Sequence, residues 1–187
     1  MKKPAILVSI IFFFSLSLIV SSCKKNSNVP ASPTLYDSLG GTTMVVDPKA
    51  AQGVMIEKGR FLIRSIVDST IFVIAGDTAI NGAFTTLLVE VGRGNLTGFM
   101  VLSKNLTDFF ATAAGAKNFT YGGKTMVAAH DPTQNTRMNG KADNSDFNAF
   151  EADLLKGAAK NGVTTSNPAL VSVGKLVESL RSQVVQQ

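Results

Sequence analysis

Two residues of this chain have types and a spacing that could do chemistry together. His130 is the only histidine. Met126 stands four positions before it, so on a helix the imidazole and the thioether project from the same face. The run that joins them, Met126-Val127-Ala128-Ala129, is apolar and follows the turn-forming pair Gly122-Gly123. Neutral imidazole is an axial ligand for haem iron, and an apolar wall beside it is what a porphyrin packs against. A lone histidine in an apolar run also serves as an ordinary hydrogen-bonded structural residue, and the run by itself leaves both readings open.

Other chemistries lack their residues. One histidine excludes a two-histidine metal site, and no P-loop, zinc-ligand spacing, paired-carboxylate or Ser-His-Asp arrangement is present. Gly92-Arg93-Gly94 is a fragment of a glycine-rich pattern without a strand-to-helix context, and reads as a turn. The single cysteine, Cys23, follows Lys2, Lys3, an apolar run over residues 4–20 and the small residues Ser21 and Ser22. That order predicts a signal peptide over residues 1–22, a lipidated Cys23 and a polar tether over residues 23–34. The mature chain then has no thiol for disulfides and no Cys-x-x-Cys-His for covalent haem. The formal charge of +5 loses Lys2 and Lys3 with the leader and falls to +3, too mild to argue for nucleic acid. The remaining roughly 165 residues suffice for one domain with a single core, to which nine phenylalanines contribute.

Hydrophobic spacing gives the elements that must position His130. Leu35 to Leu39 reads as a short amphipathic turn that Gly40-Gly41 can end by taking positive φ. Residues 42–53, with Asp47-Pro48 as a breaker, read as a loop. Met55, Leu62, Ile66 and Val73 recur at helical spacing and predict a mostly buried helix from residue 54 to about residue 72. Phe84 to Val91 is rich in β-formers, but Phe84, Leu87, Leu88 and Val91 stack on one helical face, and helix is the preferred reading. In the next helix Leu102, Leu106, Phe109, Phe110 and Ala113 share one face, with Ser103, Lys104, Thr107 and Asp108 on the other. Beyond His130, Asp131-Pro132 and Asn139-Gly140 mark a polar loop to residue 144. A helix restarts at an Asn144 or Ser145 cap, with Asp146 in its first turn and Asn161-Gly162 closing it. The last one is capped by Asn167, has Pro168 at its first position and continues to Val184.

Four stretches, taken in order, resemble a known family. Leu35-Tyr36-Asp37-Ser38-Leu39-Gly40-Gly41, Phe61-Leu62-Ile63-Arg64-Ser65-Ile66-Val67-Asp68, the segment from Leu102 to Phe110, and Tyr121-Gly122-Gly123 with Met126 and His130 look like the opening motif, B helix, distal E helix and proximal segment of the truncated haemoglobins. The similarity covers residues 35–184, with insertions at 42–53, 74–98 and 131–144. It implies an all-α, two-over-two helical sandwich over residues 35–187, holding one non-covalent haem b through His130. It also implies that Met126 and Tyr121 lie at the haem, that Leu102 and Leu106 look down on the distal side, that Phe110 packs on the porphyrin edge and that Phe84 wedges the haem. Leu62 and Leu106 stand where relatives often carry a tyrosine and a glutamine, so the resemblance implies a distal side without that polar pair. The expected function is reversible binding of oxygen or another diatomic gas in a bacterial cell envelope, with a membrane reached through the lipid and an electron donor as partners. The alternatives are a nitric oxide- or peroxide-consuming haem enzyme and a globin-fold interaction module without haem.

Overall fold

A computed structural model describes residues 32–187. The expected signal peptide, Cys23 and most of the tether lie outside the described residues. The chain runs through helix α1 (Leu35–Ser38), strands β1 (Met44–Val46) and β2 (Met55–Glu57), helix α2 (Lys58–Gly76), a 3-10 turn at Asn81–Phe84, and helix α3 (Thr85–Gly92). Helices α4 (Thr97–Ala113), α5 (Met126–His130), α6 (Asn144–Ala159), α7 (Pro168–Glu178) and α8 (Arg181–Val184) follow.

α1 begins with a reciprocal cap, in which the Thr34 side chain accepts from the Asp37 amide while the Asp37 carboxylate accepts from the Thr34 amide. It ends as expected at Gly40 and Gly41, which take φ of 113° and 55°. The first insertion is not a bare loop. It folds into an antiparallel hairpin with Val45 opposite Ile56, and this corrects the all-α expectation to a mostly helical fold with a small two-stranded sheet. It also corrects the start of the second helix, because residues 55–57 are strand and α2 begins at Lys58. Met55 is exposed while Ile56 and Glu57 are both buried, so the three residues carry no clean alternation that sequence counting could have used. Glu57 then sits at the N-cap of α2, its carboxylate accepting from the Tyr36 hydroxyl at 2.7 Å and the Asn118 amide at 2.6 Å.

α2 packs against both α4 and α6, its most extensive neighbours, and its residues Ile63, Val67 and Ile71 enter the core with Leu87, Phe110, Phe147 and Leu154. Its other side is ionic. Arg64 donates twice to Asp47 of the hairpin, at 2.8 and 2.6 Å, Asp68 takes Lys49 and the Ser103 hydroxyl, and Arg60 pairs with Asp108 at 2.5 Å. Ser103, Thr107 and Asp108 are consequently buried, so the side of α4 expected to face solvent is instead packed on α2. The apolar face of α4 is only half-buried because it borders a cavity.

Phe84 to Val91 is helical as preferred, with Phe84 closing the 3-10 turn. α6 takes Asp143 as its cap, one residue before the expected one, because the Asp143 and Asp146 carboxylates reciprocally accept each other's amides. The last helix is broken after Glu178. The break turns Arg181 back onto Glu178 and Glu151 and over the Phe147 ring at 4.2 Å. Among the described residues no single helix is long and apolar enough to cross a membrane.

Candidate functional site

α5 has only five residues, too few to persist on local propensity, so its neighbours must hold it. Thr125 caps it by accepting from the Ala128 amide, and the Asn135 side chain donates to the Ala129 carbonyl at 2.7 Å from the following loop. The chain's end closes the arrangement, with Val185 bridging to Ala142 and the Gln186 side chain donating to the Val127 carbonyl at 2.8 Å. Before α5 the Tyr121 hydroxyl donates to the Lys124 carbonyl at 2.6 Å and the Tyr121 ring meets Phe109 edge-on, 5.5 Å between centroids. Gly123 is required by this fold-back rather than by its φ, since a Cβ there would come within 2.5 Å of the Tyr121 ring.

His130 faces a cavity of about 660 Å³, within the range of roughly 300–1,000 Å³ common to small-molecule and cofactor sites. Its lining is predominantly apolar. Met126, Tyr121, Phe110, Leu106, Leu102 and Phe84 line it with His130, so the structure brings together every residue named from the sequence except Leu62. Leu62 projects elsewhere, against the cluster of Ala158, Val163 and Leu170, and its expected distal position is corrected. The residues of α2 that reach the cavity are Val67, Thr70, Ile71 and Ile74. With 3.6 residues per turn, Leu62 points well away from the Val67, Ile71 and Ile74 stripe.

The imidazole is in a definite state. Its Nδ1 lies 2.8 Å from the Met126 carbonyl oxygen. An acceptor at that distance requires the ring proton on Nδ1, which leaves Nε2 as a lone pair. Burial pushes the ring's pKa below the ordinary 6.5, outweighing the opposing pull of the Met126 contact, so the ring is neutral at physiological pH. Among the described residues no three His, Cys, Asp or Glu side chains come together to hold a metal ion. His130 is therefore not part of a cluster of such side chains, and a metal it served would need donors of another kind.

Three polar features border the cavity that sequence reasoning missed. Arg137 donates twice to Glu90, at 2.9 and 2.5 Å, joining the loop before α6 to α3 and holding the Glu90 carboxyl below its usual range. Lys124, exposed beside the Tyr121 turn, has no ion-pair partner among the described residues. Asn105 also lines the cavity from α4, and the signal for it was available, since it stands three residues after Leu102 and four before Phe109. No family model matches the chain, and no curated protein matches it.

Proposed function

We propose that the protein is a haem-binding lipoprotein of the truncated-globin kind that reversibly binds oxygen or another diatomic gas. The observation that carries the reading is the state of His130, a residue lining an apolar cavity of cofactor size, whose Nδ1–H is committed to a backbone carbonyl while its Nε2 has no hydrogen-bond partner among the described residues. Histidines that ligate metals are held in this way, their second nitrogen donating to a carbonyl or carboxylate that fixes tautomer and ring orientation. The residues present fit non-covalent haem b. His130 would be the axial ligand, Leu102, Leu106, Phe109, Phe110 and Phe84 would wall the macrocycle from water, and the Lys124 ammonium would meet a porphyrin carboxylate at the exposed edge. When bound, the porphyrin iron supplies the site at which a diatomic gas is held. The packing of α2 on α4 and α6 supports a two-over-two helical sandwich as the finer description of the fold.

Gas binding is favoured over turnover of nitric oxide or peroxide because polar side chains around the cavity offer no acid–base pair. Asp146 caps α6, Arg137 is held by Glu90, and an asparagine amide transfers no proton. The same reading includes diacylation of Cys23, which would hold the protein on a membrane of a bacterial envelope, and an electron donor that keeps the iron reduced. The test is spectroscopic. Supplying haem to the purified protein should give a Soret band, His130→Gly should lose the native spectrum, and added imidazole should restore it. A wild-type protein without a Soret band leaves the haem-free interaction module as the surviving alternative, and an unchanged spectrum in His130→Gly places the ligand elsewhere.

A further inference from the structure

The β1–β2 hairpin turns an apolar face to solvent. Val45 and Ile56, partners across the pair, are half-buried and buried, whereas Met44, Val46 and Met55 are 51 %, 61 % and 46 % exposed. Met44 and Val46 stand two apart on β1, hence on one side of it, and Val46 is directly opposite Met55. The three form one contiguous face rather than scattered surface residues. Both acids of residues 42–58 are buried and bonded, Asp47 to Arg64 and Glu57 to Tyr36 and Asn118. The exposed charges of the hairpin are therefore cations, Lys58 and Lys49, the latter still more than half exposed beside Asp68.

Contacts between helices fix where this face sits. Arg60 pairs with Asp108, Asp68 accepts from Ser103, and the Phe72 and Phe99 rings meet at 5.4 Å between centroids, so α2 and α4 are antiparallel. The hairpin leads into the start of α2 and so lies at the end where α4 finishes. The chain coming from Cys23 joins the fold at that same end, for Thr34 lies against Gly115 and the Tyr36 amide donates to the Ala114 carbonyl at 2.8 Å. Residues 24–34 can span at most about 40 Å, at roughly 3.5 Å per residue. An acylated Cys23 thus keeps the apolar face within reach of the bilayer.

From this we infer that the outer face of the hairpin is a second membrane contact, with Met44, Val46 and Met55 entering an anionic phospholipid bilayer while Lys49 and Lys58 meet its phosphates. The inference rests on the lipid-anchor part of the reading above and is independent of haem. Apolar side chains gain by leaving water, and the negative surface potential of the bilayer attracts the two ammonium groups. Once the acyl chains are inserted, the face binds intramolecularly, so a patch too small to hold an untethered protein is enough. The residues of α2 that line the cavity, Val67, Thr70, Ile71 and Ile74, lie from its midpoint onward, away from the hairpin, so docking here leaves the cavity clear of lipid.

The test uses the acylated full chain reconstituted into vesicles of phosphatidylethanolamine and phosphatidylglycerol. Acylation blocks the Cys23 sulfur, so Val46→Cys presents one free thiol for an environment-sensitive fluorophore. Asn95→Cys, in the loop before α4, is the control at the opposite end of α2, roughly 28 Å along the helix. On reconstitution the Val46→Cys label should shift its emission to the blue and be quenched by lipids with nitroxide-labelled acyl chains, and the Asn95→Cys label should do neither. Adding Met44→Ser and Met55→Ser to the labelled variant should diminish both signals with the helical circular dichroism unchanged. Water-like emission at both positions, or signals untouched by the serine pair, would overturn the inference. A blue shift without lipid quenching that fades as protein is diluted among vesicles would overturn it too, by putting a second copy of the chain on the face. Uptake of two labels by Val46→Cys, seen by mass spectrometry, is a separate failure, that of Cys23 acylation itself.

Discussion

Replacing Gly157 by alanine tests whether the crossing of α2 and α6 fixes the cavity wall. Gly157 is buried on α6, and a Cβ built there lies 2.2 Å from the Thr70 hydroxyl oxygen, 2.8 Å from the Thr70 amide nitrogen and 3.0 Å from its Cα. The hydroxyl cannot simply rotate away without giving up its 2.8 Å bond to the Ile66 carbonyl. The backbone contacts cannot be relieved by any rotamer, so the helices must separate. Overpacking of this kind costs about 1–3 kcal/mol, and a backbone clash belongs at the upper end. Alanine returns about 1 kcal/mol through its better helix propensity. A net loss of about 2 kcal/mol remains, which for a domain of this size lowers Tm by about 4–8 °C. Thermal unfolding followed by circular dichroism measures it. Thr70→Ala combined with Gly157→Ala should recover only part of the loss, since the backbone contacts persist. Because Thr70 also lines the cavity, the single variant should broaden or shift the Soret band of the loaded protein. A Tm equal to or above that of the wild type would refute the close-approach argument.

Asp47 has its carboxyl held at about 2, below the ordinary 3.8, chiefly by the hydrogen bonds from Arg64. A depressed carboxylate contributes stability that is present above its unfolded value and is lost as pH falls through the folded one. At about 1.4 kcal/mol per unit the pair contributes about 2.5 kcal/mol above pH 4, which should fade between pH 4 and pH 2. Urea midpoints of wild type and Asp47→Asn should therefore converge in acid, and a gap independent of pH would count against the pair. Cys23→Ser should leave the protein uncleaved at residue 22 and without lipid, its apolar leader still attached, and a variant that remains membrane-bound and cleaved at the same place would exclude lipidation there.

Much of the helical plan was legible because it is written in local chemistry. The Pro168 start after Asn167 and Gly40-Gly41 each act over a few residues, and the structure has them where the spacing put them, whereas the buried stripe of α2 is Ile63, Val67 and Ile71 rather than the expected Leu62, Ile66 and Val73. Met126 and His130 are likewise on one short helix at one cavity. The misreadings share a cause. The hairpin exists because residues nine to thirteen positions apart pair with each other and because α1 and α2 need Glu57, and helical counting does not test such pairing. Ser103, Thr107 and Asp108 looked like a solvated face, yet Asp68 and Arg60 on a distant helix partner Ser103 and Asp108 and make burial of that face affordable.

By itself the sequence determined which residues are available: one imidazole, one thiol, and apolar stripes whose periods specify helices. Tertiary structure decided their states and neighbours. It placed Leu62 away from the cavity, supplied the carbonyl that fixes the proton of His130 on Nδ1, and engaged the other polar side chains of the lining so that Asn105 and Lys124 stand apart. The physical reason is that helical periodicity fixes which residues share a face but not what that face meets. The rotation of α2 against α4 and α6 is set by how their side chains interdigitate, and that is a property of three segments at once.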